Sequence, residues 1–287
     1  MTSHESNKEH VVLFHRGDRL GANITSYIAQ ILYALYHRLP IKYDRNALNY
    51  KTSVFVEALF DFIEFHNRHL SQCGKERPWD NPGDWVYTVS HTTQTLQCDQ
   101  VSFFRQHIWP RIRLNFYSHV AYKNYSLPFD PKTTILVHLR LGDVSTVADY
   151  DGRVCNNYYK QKVEAGQPCI CEGLTMNRYN RQAPLSDQKL EEQLTQIRKA
   201  HPHHTVRLIT QPGSVPTLPY ECIRSDDESY DLWLMSMCDI IVLSRSTYAL
   251  SALFFGAYSE AHVPLWGHAA CMGLYTVYDR AGLTYFY

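Results

Sequence analysis

The chain has 287 residues, 45% of them hydrophobic, with 28 basic and 28 acidic side chains and a formal net charge of zero. That is apolar material for one large core or two modest ones, and the even charge balance leaves no electrostatic footprint for nucleic acid. No apolar run approaches the roughly 20 residues that cross a bilayer, and the polar start MTSHESNKEH lacks a signal peptide's apolar region, so a soluble, cytoplasmic protein is expected.

Val11 to His15 reads as a strand, followed by a glycine-bearing turn and a long amphipathic helix, Asn23 to Arg38. Ile24, Tyr27, Ile28, Ile31, Leu32 and Leu35 recur there at helical spacing. A short strand at Ile41 to Tyr43 and a helix from Ser53 to about His69 come next. Beyond a Pro- and Gly-rich loop, Arg77 to Asp84, strand Val86 to Ser90 leads into a helical stretch interrupted at Pro110. Phe103, Phe104, Trp109, Phe116 and Tyr117 recur in that stretch at helical spacing, a pattern of core packing more than of a ligand box. Pro128 and Pro131 mark Asn124 to Lys132 as a linker. The chain therefore divides into two α/β halves, residues 1–125 and 126–287.

The second half opens with TTILVHLRLGD, Thr133 to Asp143, a buried strand running into a Gly-Asp corner with Arg140 at its carboxyl edge. Ligands of open α/β sheets sit outside the carboxyl ends of the strands. A guanidinium there either pairs with a local carboxylate or holds a phosphate through two charge-assisted hydrogen bonds. A long polar excursion, Val144 to Pro184, carries Asp149, Asp151, Arg153, Tyr158, Tyr159, Arg178, Tyr179 and Arg181, a set suited to gripping a sugar, to closing over a nucleotide or to simple solvation. Helix Ser186 to His201 follows with Ser186 as its N-cap, then strands Val206 to Thr210 and Asp239 to Leu243. Ser229 to Ala257 reads as helix, strand, a Ser-Arg-Ser-Thr turn and a second helix. The hydroxyls of Ser244, Ser246 and Thr247 with the helix-start amides make either a phosphate cradle or an ordinary cap.

Eight cysteines bring no metal signature. Cys222, Cys238 and Cys271 sit in apolar runs as small hydrophobes, while Cys155, Cys169 and Cys171 crowd a polar loop where a disulfide fits better than a zinc knuckle. Most of the 21 tyrosines and 15 histidines are diffuse. His138 alone has a position that suggests a role, that of orienting the middle turn through a hydrogen bond.

Taken in order, the three segments resemble the fucosyltransferase superfamily that includes α1,2-, α1,6- and protein O-fucosyltransferases. Gly21 and Asn23 in RLGANITSYIAQ resemble its amino-terminal turn and following helix. VHLRLGD, with His138, Arg140, Gly142 and Asp143, resembles its His-x-Arg-x-Gly-Asp motif, whose arginine holds the β-phosphate of GDP-fucose. DLWLMSMCDIIVLSRSTYALSALFFGA is similar to its carboxyl-terminal segment, where a Ser/Thr pair after a strand meets the nucleotide. Leu141 stands where some members carry a second arginine, and Tyr248-Ala-Leu-Ser where α1,2 enzymes carry a tryptophan-rich run.

The resemblance implies a GT-B-like fold, two Rossmann-like domains facing a central cleft, with residues 1–125 on the acceptor side and 126–287 binding the nucleotide sugar. It implies a single displacement with inversion, no cofactor and no metal. The sugar nucleotide is then a co-substrate, GDP-fucose, and the acceptor a glycan hydroxyl. UDP-xylose as donor is one alternative, and a non-catalytic carbohydrate- or nucleotide-binding protein is another. The base is expected at Asp18, in the turn after the first strand, or at Asp149 or Asp151 on the loop, with Asp143 more suited to capping its own corner. Asp226, Asp227 and Glu228 are placed either to accept guanine's amino group or to complement a helix start.

Overall fold

The computed structural model of the chain describes residues 10–13, 20–36, 39–43, 53–70, 106, 108–141, 184–264 and 282–286. The chain separates into two units, Met1–Lys123 and Asn124–Tyr287. Both are mixed α/β structures with parallel strands. Among the described residues no helix is long and apolar enough to cross a membrane.

In the first unit, β1 (Val11–Val12) pairs in parallel with β2 (Ile41–Lys42) across helix α1 (Leu20–Tyr36). Ile24, Tyr27, Ile28 and Ile31 are buried along α1, the stripe that their spacing predicts. The helix begins earlier than its pattern suggests, at Leu20, whose side chain is itself buried. Gly21 and Asn23 consequently lie inside its first turn, both buried, and not in a turn before it. Asn67 of α2 (Val54–Leu70) stands in for a strand neighbour of β2, accepting from the Ile41 N–H at 2.8 Å and donating to the Ile41 carbonyl at 2.7 Å. α3 (Trp109–Ala121) packs on α2, with Asn115 Nδ2 donating to the Ala58 carbonyl at 3.2 Å. Helical backbone with wider turns at residues 106 and 108 gives way to this α-helix at Pro110, the expected interruption, and a first-turn residue has no intrahelical use for its N–H.

The second unit is built on six parallel strands in the order β5-β4-β3-β6-β7-β8. β3 (Thr134–His138) is buried at every position, as a central strand of a parallel sheet must be when both faces are covered. The next described element is α4 (Asp187–Ala200), where Ser186 caps the Lys189 N–H and Leu190, Leu194 and Ile197 point into the core. They meet Ile135, Val137, Leu208, Ile240 and Val242, which share one face of the sheet because strand side chains alternate. β4 (Thr205–Thr210) and β5 (Glu221–Arg224) extend the sheet to one side. Helix α5 (Glu228–Met237) then carries the chain back to β6 (Ile240–Val242) beside β3, and α6 (Thr247–Phe255) leads on to β7 (Glu260–Pro264). α5 packs on α6, and Leu232, Leu234, Met235, Leu250 and Phe255 are buried on them. β8 (Leu283–Phe286) closes the far edge.

β5, β7 and β8 have no local signature. Each mixes polar and apolar residues, and each is held by its ladder to a neighbour rather than by an alternating pattern of its own. The expected strand Val86 to Ser90, the loop Arg77 to Asp84 and all but the last residue of the excursion Val144 to Pro184 lie outside the described residues.

Candidate functional site

The strand order places a topological switch point between β3 and β6. From β3 the chain builds outward through β4 and β5, then returns to start β6 on β3's other side. At such a point the connections leaving two adjacent strands diverge, which opens a crevice at their carboxyl ends. Here the residues leaving β3 are His138, Leu139 and Arg140, and those leaving β6 are Ser244, Arg245 and Ser246.

Two backbone anchors hold the exit from β3 in place. Leu139 N–H donates to the Ile209 carbonyl at 2.9 Å, and the Thr210 hydroxyl donates to the Leu139 carbonyl at 3.0 Å. Across the crevice, Arg140 Nη1 donates to the carbonyl of Arg245 at 3.2 Å. His138 Nδ1 and Ser244 Oγ are hydrogen-bonded at 2.7 Å, both buried. Burial first, and the adjacent Arg140 charge second, lower the His138 pKa from 6.5 to about 4, so its imidazole is neutral at neutral pH. The middle motif and the Ser-Arg-Ser-Thr turn are thereby joined twice, by a side-chain pair and by a guanidinium on a backbone carbonyl.

The turn's hydroxyls divide between local structure and solvent. Ser246 is the N-cap of α6, its Oγ accepting from the Ala249 N–H at 3.4 Å, and Ser244 is engaged with His138. Both therefore act as fasteners, while half-buried Thr247 stands at the first helical position. The start of α6, whose amides carry the positive end of the helix dipole, is the turn's remaining source of positive potential. Arg140 and these amides give the site two sources of positive potential, the combination that holds phosphates.

A small recess, open to solvent, adjoins this floor. His138, Arg140 and Ser244 contribute its polar side; Leu185 just before α4, Asp187 and Leu190 of α4 and the segment Val215–Thr217 after β4 contribute much of the rest.

On the other flank, Tyr248 of α6 lies 6.0 Å from the His138 ring, centroid to centroid, and its hydroxyl donates to the Glu228 carbonyl at 2.5 Å. Asp227 is the N-cap of α5, its Oδ1 accepting from the Ser229 and Tyr230 N–H groups and its Oδ2 from the Tyr125 hydroxyl at 2.6 Å. Of the two roles open to the acidic trio, Asp227 fills the structural one.

The carboxylate missed by motif reading is Asp231, one turn further on. It is 9% exposed, and its Oδ1 is buried without a hydrogen-bond partner among the described residues. Burial, followed by the charges of Asp227, Glu228 and Asp226, raises its pKa from 3.8 to about 8. One signal was available, an acidic residue heading the apolar run Leu232–Met235 on a helix buried on nearly every side.

Asp18, Gly142, Asp143 and Asp149 lie outside the described residues, and Gly21 and Asn23 belong to the first unit. Among the described residues no group of three or more His, Cys, Asp or Glu side chains is arranged to hold a metal ion. Comparison with known proteins finds no matching family model, no matching curated protein and no matching solved structure.

Proposed function

We propose that this chain is an inverting glycosyltransferase that takes its sugar from a nucleotide sugar, GDP-fucose by the resemblance of its motifs, and passes it to a glycan hydroxyl without a metal ion. The observation that carries the reading is the meeting of Arg140 with the start of α6 at the β3–β6 switch point. As the glycosidic bond breaks, negative charge builds on the β-phosphate. A guanidinium held by the Arg245 carbonyl and amides fixed by a capped helix stabilise that charge with little reorganisation. The acceptor hydroxyl loses its proton as it attacks the anomeric carbon from the opposite face. Asp18 is the carboxylate proposed to take it, with Asp149 as the second choice.

Guanine presents two donors on one edge and calls for an acceptor. Of the acidic trio, Asp226 is proposed for that role, since both oxygens of Asp227 are engaged in capping and with Tyr125. The architecture this reading implies is GT-B-like, with residues 1–125 serving the acceptor and 126–287 the donor.

The test is sugar release and transfer from GDP-fucose and UDP-xylose in the presence of glycan acceptors, with and without EDTA. Transfer from GDP-fucose that survives chelation is the expected result. Binding of a sugar nucleotide without turnover of either donor assigns the chain to the non-catalytic class, and activity restored only by Mn²⁺ or Mg²⁺ overturns the metal-free mechanism.

A further inference from the structure

The segment after β4 forms a lip on the recess that faces Arg140. Gly213, at φ +76°, turns the chain there, and the lip is fastened on both sides of its tip. Arg224 Nε donates to the Ser214 carbonyl at 3.1 Å, and the Thr217 hydroxyl donates to the carboxylate of Asp187 at the head of α4. Leu218, next along, is buried. Between these fastenings Val215 is 82% exposed. A lone exposed valine needs no explanation. This one differs in its setting, since Val215 and Pro216 line the same recess as Arg140, His138 and Ser244. The recess is therefore lined by the Arg140 guanidinium and, from the lip, by apolar Val215 and Pro216 beside the Thr217–Asp187 pair, with that apolar part carried on a loop that is tied down rather than loose.

From this geometry we infer that the Val215–Pro216 lip covers the apolar face of a ring attached to the diphosphate, either the nucleoside or the transferred sugar. This rests on the nucleotide-sugar reading of the same site. An anion alone would have use for the Arg140 end only, whereas a ring-bearing diphosphate reaching from that end along the recess meets Val215 and removes its side chain from water. Val215 is then a specificity residue, distinguishing ring-bearing diphosphates from bare ones.

Calorimetric titration of the full chain, of Val215→Ser and of Val215→Ile with pyrophosphate, GDP and GDP-fucose tests the inference. The exposed position lets both variants fold, which equal melting temperatures would verify. Pyrophosphate should bind all three proteins alike. Val215→Ser should bind ring-bearing ligands on the order of tenfold more weakly, and Val215→Ile should match the parent. A loss already present with GDP identifies the nucleoside as the covered ring; a loss appearing only with GDP-fucose identifies the sugar. Equal affinity of Val215→Ser and the parent for every ligand, or an equal loss for pyrophosphate, overturns the inference. If the parent itself binds none of the three, the nucleotide-sugar reading falls and the lip's role falls with it.

Discussion

Arg140 is set up to act through its shape as well as its charge. A guanidinium offers five donors in a rigid plane, and fixing one of them on the Arg245 carbonyl orients the whole head. Lysine keeps the charge but loses the plane, the fork and the geometry of that tether. Arg140→Lys is therefore expected to lose nearly as much transfer activity as Arg140→Ala, on the order of a hundredfold, with the fold retained. Steady-state transfer beside a melting curve measures this; near-parental turnover in a folded Arg140→Ala protein removes Arg140 from the mechanism. Asp231 supports a prediction about pH. Its folded pKa of about 8 lies above the ordinary 3.8, so between those values the folded state holds a proton that the unfolded state has released. Its contribution to stability is then complete at acid pH and declines as pH rises through this window. Asp231→Asn cannot ionise, so its stability relative to the parent should climb from pH 5 to pH 8. Urea melts of both proteins across that range provide the measurement, and a pH-independent difference refutes the assignment.

At the scale of elements, the site depends on how firmly each strand end and helix start is seated. β3 is anchored on both sides by parallel ladders, and α6 is capped by Ser246. β8 is a more vulnerable element, an edge strand that reaches the core through Phe286. It is preceded by Gly282, whose φ is +83° and whose carbonyl accepts from the Ala261 N–H at 2.9 Å. A Cβ there would stand 2.7 Å from the Ser259 backbone oxygen, which has no rotamer to escape into. Gly282→Ala is expected to destabilise the protein by about 2 kcal/mol, through the unfavourable φ and the backbone clash together. Chemical denaturation should register this as a lower midpoint; an unchanged midpoint means that β8 is not docked in the way described.

For the whole molecule, local sequence was informative wherever burial repeats with a fixed period. The α1 stripe, the unbroken apolar run of β3 and the Ser186 cap of α4 were legible because each is written in neighbouring residues. The start of α1 was misread because Leu20 joins its buried face ahead of the glycine. The motifs also named Arg140 and the Ser-Arg-Ser-Thr turn as one site, on the strength of resemblance. How they meet was settled by tertiary structure. Ser244 and His138 pair across 106 residues, and neither carries a local mark of the other. The strand order that creates the switch point depends on which crossover leads where, and no single segment encodes that. Nor does composition reveal that Ser246 caps a helix, that Asp227 does likewise, or that Asp231 is buried, since burial of a carboxylate is decided by what packs around it. Sequence alone therefore determined the kinds of element and the chemistry available at their ends. Only the folded chain decided which of those ends lie together, because hydrogen-bond partners and electrostatic environments are properties of neighbours in space.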